Sequence, residues 1–354
     1  MDEFARKPNE ERLAFINEAA NRRGLAPIII EKDFWVCWTL KRLSANPNLV
    51  KHLTFKGGTS LSKAYGIIER FSEDIDLTIS RDAPLICDVS SPMDGDISGN
   101  ERQRRIAALK TAAQNYVQTI ILPTLERAIA EALDTRDGWE LVLDPDDPDK
   151  QTILFGYPRL LNYGAGYGRG RYGVGAYGEG EYGYIRPRIK LEFGARGETD
   201  PHAVKTITPY LADEFPNELA DAAFTFPTLA TERTFWEKIT ILHALHHGSK
   251  LRDGMSRHYY DIYKLFEKGV AATAINEAAL LAHVVRNKSL MFQDSKASYD
   301  TAVIGTLRLV PPDEIRAKLK TDYAAMSEMF MGEAPDFETL MREIAALESI
   351  INGR

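Results

Sequence analysis

Cysteine is nearly absent: Cys37 and Cys87 are the only two in 354 residues. That excludes a disulfide framework and a cysteine-based metal cluster, and it suits a reducing compartment. No apolar run approaches the ~20 residues of a membrane helix, and the opening Met-Asp-Glu-Phe-Ala-Arg-Lys lacks the apolar core of a signal peptide. The expectation is therefore a cytoplasmic protein with no membrane partner. Positive charge is also in short supply, with 44 Lys and Arg against 51 Asp and Glu and a net charge of −7. Such a balance excludes a basic coat for nonspecific DNA binding but leaves open a nucleic acid held in a local basic cleft. Two basic clusters exist, Arg102, Arg104, Arg105 and Lys110, then Arg186, Arg188, Lys190 and Arg196, while residues 144–149 concentrate acid. The chain is long enough for two domains with their own cores.

What is present is concentrated in residues 55–77. Residues 52–55 predict a short strand, Gly57 and Gly58 break it, and residues 59–65 predict a helical turn. Glycine lets backbone approach a ligand closely, and a helix N-terminus offers unpaired N–H groups to an anion. Gly57, Gly58, Thr59 and Ser60 are thus candidates for a phosphate cradle, with Lys63 and Arg70 to neutralise phosphate charge. Residues 74–79 then alternate polar and apolar, as in a half-buried strand. Period two puts Asp74 and Asp76 on one face, with Ile75, Leu77 and Ile79 in the core. Neighbouring carboxylates repel unless a cation lies between them, and hard oxygen donors beside a phosphate suit Mg²⁺. A phosphate-free glycine turn and two solvated aspartates are the bland alternatives. The two signals in this order favour a cradle and a metal pair, which nucleotidyl transfer from an NTP requires.

Elsewhere the pattern is coarser. The first ~47 residues predict two helices, and residues 81–100 read as a loop. Residues 101–133 predict a long helix broken or kinked at Pro123, and 139–143 with 152–157 predict a hairpin. Residues 163–184 hold nine Gly and six Tyr, too much glycine for a helix. This insertion is either flexible or a strand-binding loop, with tyrosines stacking on bases and Arg169 and Arg171 meeting phosphates. In residues 186–193, Ile189, Leu191 and Phe193 share one face and Arg188, Lys190 and Glu192 the other. From about Pro227 the chain is expected to turn helical, with Thr231 as a plausible cap. Lys238 falls among Phe235, Ile241 and Leu242, where an ammonium is costly unless an anion meets it or its head snorkels to water. His243 and His247 have metal-ligand spacing without the glutamate of a zinc peptidase helix, so a polar stripe is the better reading.

The motif Lys-Gly-Gly-Thr-Ser-Leu-Ser-Lys followed by Arg-Phe-Ser-Glu-Asp-Ile-Asp-Leu resembles the AbiEii/AbiGii-type toxins, which include the MenT toxins, within the DNA polymerase β-like nucleotidyltransferases. Glu31-Lys32-Asp33-Phe34, Glu237-Lys238, Arg257-His258-Tyr259-Tyr260-Asp261 and the last helices extend the resemblance over most of the chain. It implies an α/β nucleotidyltransferase domain with a mixed sheet (1–226, carrying the insertion), then an all-α domain (227–354), with the active site in a cleft between them. It also implies that Lys238 and Asp261 complete a catalytic set with Asp74 and Asp76, and that Glu192 is a third Mg²⁺-side carboxylate, although a solvated strand face would explain Glu192 too. Similar toxins of type IV toxin–antitoxin systems transfer nucleotides to the tRNA 3′ acceptor end. The implied partners are therefore an NTP, tRNA and a cognate antitoxin, and the implied outcome is blocked translation, as in phage defence. A nucleotidyltransferase acting on a small molecule or protein, and a noncatalytic nucleotide-binding module, are the competing functions.

Overall fold

The computed structural model describes residues 1–161, 188–248 and 251–353; the Gly/Tyr-rich insertion, with Arg186 and Lys250, lies outside the described residues. The chain divides into two compact units. The first comprises Met1–Tyr65, Phe71–Ser90 and Ala107–Thr228, the second Gly66–Arg70, Ser91–Ile106 and Leu229–Arg354.

The first unit is built on a mixed seven-stranded sheet. Its strands are β1 (Leu53–Lys56), β2 (Ile75–Ile79), β3 (Glu140–Leu143), β4 (Thr152–Gly156), β5 (Ile189–Gly194), β6 (His202–Ile207) and β7 (Phe224–Leu229), in spatial order β3-β4-β5-β2-β1-β7-β6. β1 and β2 are antiparallel, placing Lys56 opposite Asp76. β2 and β5 are parallel, placing Asp76 opposite Glu192. The β3–β4 hairpin extends the sheet antiparallel to β5. β5 alternates as its sequence predicts, with Ile189, Leu191 and Phe193 buried and Lys190 and Glu192 half-buried.

One helix, Pro27–Ser44, supplies much of this core, because it is apolar nearly all round. Trp35 stacks on Tyr157 at 5.6 Å and Trp38 on Phe155 at 6.1 Å. Offset aromatic pairs of this kind add to the area they bury. Four helices, Asp2–Arg6, Asn9–Arg23, Pro27–Ser44 and Pro47–Val50, precede β1, where two were expected; Pro8 and the Gly24–Ala26 stretch punctuate what hydrophobicity alone merges. The long helix divides into Gly99–Tyr116 and Leu122–Leu133 around a wide π-type turn, Val117–Ile121. Pro123 has no N–H to give to the preceding turn, so the ladder loosens there. Strands β6 and β7 were not anticipated. Pro227, expected at the onset of helix, lies inside β7, whose Thr228 pairs with Phe55.

The second unit is helical. Thr231–Gly248 packs against Ser256–Glu267, Val270–Ile275 and Ala278–Met291, and Ser256–Glu267 also packs against Asp313–Ala325 and Phe337–Ile351. Trp236 is fully buried and donates its indole N–H to the Ala274 carbonyl at 3.2 Å. The excursion Gly66–Arg70 is sewn into this unit by an antiparallel bridge from Arg70 to Phe330 and by the Met331 N–H donating to Glu69 at 2.9 Å.

Candidate active site

The carboxylates gather on one sheet face because of strand register. Asp74 immediately precedes β2, Asp76 lies two residues on, and the parallel pairing sets Glu192 beside Asp76. Directly paired residues project to the same side of a sheet. Lys190 makes an ion pair with Glu192, and the Lys190 pKa is raised: burial opposes its charge, but Glu192 and then Asp74 outweigh that cost. Among the described residues, no three His, Cys, Asp or Glu side chains are gathered tightly enough to enclose an ion; the acids share a face without converging.

Directly after β1, Gly57 takes a left-handed conformation, φ +81°, and opens the short helix Gly57–Lys63. A Cβ placed on Gly57 would run into Asp76 Oδ2. The glycine is therefore required twice, for its backbone angle and for room beside the carboxylate. Gly57→Ala is expected to displace Asp76, lowering transfer activity at least about tenfold and costing ~1 kcal/mol or more of stability. Steady-state rates and unfolding midpoints check this, and an alanine variant with both unchanged contradicts the close approach.

The remaining cradle candidates are engaged within the protein. The buried Thr59 hydroxyl donates to the Asp74 carbonyl at 2.6 Å and lies 3.0 Å from Ser72 Oγ, and Ser60 donates to the Gly57 carbonyl at 2.9 Å. These bonds lock the turn to the residue that begins the acidic strand. Gly58 occupies the first turn of the same helix. Lys63, expected beside phosphate, is instead buried, 2.7 Å from Asp33 and 3.5 Å from the centre of the Tyr210 ring. Burial opposes its charge, but Asp33 holds the ammonium above its ordinary pKa. Asp33 also accepts the Tyr210 N–H at 2.6 Å, its neighbour Lys32 pairs with Glu73, and Glu31 accepts the Leu160 N–H at 2.6 Å. Three consecutive charges inside an apolar helix thus all find partners, as burial demands. Asp33→Ala would strand the Lys63 ammonium, at an expected cost of ~3–5 kcal/mol; chemical denaturation measures it, and a loss below ~1 kcal/mol contradicts the pairing's importance.

In the helical unit, Asp261 is fully buried and held by Arg70 through Nε at 2.7 Å and Nη2 at 2.8 Å. Lys238 Nζ reaches the same carboxylate at 2.9 Å and His258 Nδ1 at 3.4 Å. Burial would raise the Asp261 pKa, but the Arg70 and Lys238 charges outweigh it and hold the carboxyl well below its ordinary value. Asp261 is thus the anion that the apolar surroundings of Lys238 require. Arg70, expected with the glycine turn, belongs to this cluster. Nothing local in its sequence marks that placement, which follows from the bridge to Phe330.

With this geometry, a family comparison is decisive. The model of the nucleotidyl transferase AbiEii toxin family, type IV toxin–antitoxin system, matches residues 38–343. The chain belongs to this family. It is a nucleotidyltransferase toxin by descent, and an NTP substrate and an antitoxin partner come with that membership. No curated protein matches the sequence. Among solved structures it is similar to MenT4, a nucleotidyltransferase toxin from Mycobacterium tuberculosis H37Rv, at 14% identity and TM-score 0.36, covering 88% of this chain and 98% of that one.

Two further features of the toxin bear on what it binds. A groove of about 520 Å³ in the sheet unit is lined by Trp139, Glu140, Gly156, Tyr157, Arg159 and Arg188. Arg188 precedes Glu192 by four residues on the same face of the β5 segment, so the groove begins about 13 Å from the carboxylates. The histidine pair, by contrast, is structural at His243. That ring is buried, accepts the Arg308 N–H at Nδ1 (3.1 Å) and meets the Ser298 carbonyl at Nε2 (3.0 Å). Both nitrogens are engaged, which argues against a zinc ligand and corrects the polar-stripe reading at this position. No helix among the described residues is long and apolar enough to cross a membrane.

Proposed function

We propose that this toxin transfers a nucleoside monophosphate from an NTP to the 3′ acceptor end of tRNA, blocking aminoacylation and translation. The observation that carries the transferase half is the register of β2 and β5, which sets Asp76 beside Glu192 with Asp74 on the same face. The donor set is all oxygen and Gly57 lets the turn pack directly against the Asp76 carboxylate; Asp74 and Asp76 would hold Mg²⁺, with Glu192, which does not converge with them, assisting as a third oxygen donor. Bound there, Mg²⁺ supplies Lewis-acid stabilisation of phosphate oxygens and lowers the pKa of an attacking hydroxyl.

The chain's own residues do the remainder. The turn from Gly57 to Ser60 presents backbone to the triphosphate, and Thr59 keeps it in register with Asp74. Family resemblance gives Lys238 the role of a cation for the phosphates, and within the helical unit Asp261 fixes both Lys238 and Arg70. The acceptor hydroxyl attacks the α-phosphorus in line and passes its proton to solvent water; the bond from the α-phosphorus to the α–β bridging oxygen breaks, and pyrophosphate leaves with that oxygen. Preorganised charge of this kind stabilises the transition state without reorganisation.

Family resemblance favours tRNA, and the groove supports it with the half-buried Trp139 and two guanidinium groups, Arg159 and Arg188, on the sheet unit. Single-stranded ends are bound by such stacking surfaces and phosphate contacts. Incubating the protein with each α-labelled NTP, Mg²⁺ and total RNA is expected to label RNA of tRNA size at its 3′ end. Labelling of a small metabolite or a protein with none on RNA overturns the tRNA assignment and keeps the transferase one; no transfer to any acceptor overturns both.

A further inference from the structure

The contacts of Lys238 account for two of its three ammonium protons. An ammonium carries three donors and no acceptor. One proton meets Asp261 Oδ2 at 2.9 Å and one is directed to His258 Nδ1 at 3.4 Å. The third has no partner among the described residues. Lys238 is only 7% exposed, so the first two bonds decide where the third N–H points. Asp261 cannot move to suit the lysine, because Arg70 holds both of its oxygens. His258 lies three residues before Asp261 on Ser256–Glu267, on the same helical face. A carboxylate and an imidazole one turn apart thus grip one ammonium from two directions.

We propose that His258 is a positioning residue for Lys238: its neutral ring accepts a hydrogen bond at Nδ1 and, with Asp261, aims the remaining ammonium proton at the substrate's phosphates. This rests on the reading of Lys238 as the phosphate-facing cation. An accepting Nδ1 puts the ring proton on Nε2. The surroundings keep the ring neutral: burial first, then the positive charges of Lys238, Arg257 and Arg70, hold its pKa well below the ordinary value, with Asp261 alone opposing. A protonated ring would have no lone pair for the ammonium and would repel it. Arginine or lysine in place of His258 would fail for the same reason, whereas an amide oxygen would serve.

The test uses the purified full chain, pyrophosphate release with total RNA, and growth inhibition on expression as a readout that needs no named acceptor. His258→Leu is expected to lower kcat about tenfold with little change in KM for the NTP. His258→Asn, whose Oδ1 takes the place of Nδ1, is expected to recover activity to within about threefold of the parent. In a Lys238→Met background, His258→Leu is expected to add nothing, because the residue it serves is gone. Thermal unfolding accompanies each variant, and His258→Ala replaces the leucine variant if that one does not fold. Equal losses in the Asn and Leu variants, or a further tenfold loss in the Lys238→Met background, overturn the positioning role. Full activity of Lys238→Met itself overturns the site reading beneath it, which is a different result.

Discussion

Asp76→Ala is expected to reduce nucleotide transfer by at least about a thousandfold while leaving the fold intact. Metal-assisted stabilisation of phosphoryl oxygens is worth several kcal/mol, and each 1.4 kcal/mol is a factor of ten in rate. If Asp74 and Asp76 hold Mg²⁺, removing one of the pair leaves the ion underligated. Stability responds differently, because Asp76 is only half-buried and sits between opposite influences. Its cross-strand neighbour on β1 is Lys56 and on β5 is Glu192. Like charges directly opposite destabilise a sheet and unlike charges stabilise it, each by under ~1 kcal/mol, so the two losses largely offset. The unfolding midpoint should therefore stay close to that of the parent while growth inhibition disappears. A folded alanine variant with parental turnover removes Asp76 from the metal site.

Local periodicity made the carboxylate-bearing strand faces legible. The alternation in residues 74–79 and 189–193 placed the acidic and apolar faces correctly, since a strand's period of two leaves little choice once one face is buried. Periodicity carries no information about which strands pair, so the adjacency of Asp76 and Glu192 came only with the sheet order. β6 and β7 lack a clear strand signal in the sequence for different reasons. β6 is largely exposed and lacks alternation, and Pro227 in β7 argued against a strand although its neighbours Phe226 and Thr228 are fully buried. The pairing of Lys63 with Asp33 carries no local signal, because a basic residue following a glycine turn looks the same whether it meets a phosphate or a buried aspartate. The informative signal was the opposite partner: Asp33, beside Glu31 and Lys32 in a helix with Ile28, Ile29, Ile30 and Phe34 around it, needed a cation. Arg70 likewise depended on a contact with residues nearly two hundred positions away.

Lys238→Ala and Asp261→Ala should both impair catalysis, but with opposite consequences for stability. Lys238→Ala leaves Asp261 held by Arg70 at 2.7 and 2.8 Å, so the buried carboxylate keeps a partner and the helical unit keeps its fold. Activity should fall by roughly a hundredfold or more if the ammonium faces the reacting phosphates. Asp261→Ala removes the anion from between two buried cations, Arg70 at 3% and Lys238 at 7% exposure. Breaking a buried pair by deleting one partner costs ~3–5 kcal/mol, so this variant should be both inactive and strongly destabilised. The same carboxylate sets an acid sensitivity. Its native pKa is depressed, so its contribution is complete above the ordinary aspartate value of about 4 and is lost as pH falls below that toward the native pKa. Asp261→Asn should therefore be less stable than the parent at neutral pH, with the difference narrowing as the pH drops below about 4. Unfolding midpoints of the parent, Lys238→Ala and Asp261→Asn across that range, beside transfer rates at neutral pH, test the arrangement. Equal stability of all three shows that the buried triad does not brace the helical unit, and full turnover in Lys238→Ala shows that it takes no part in catalysis.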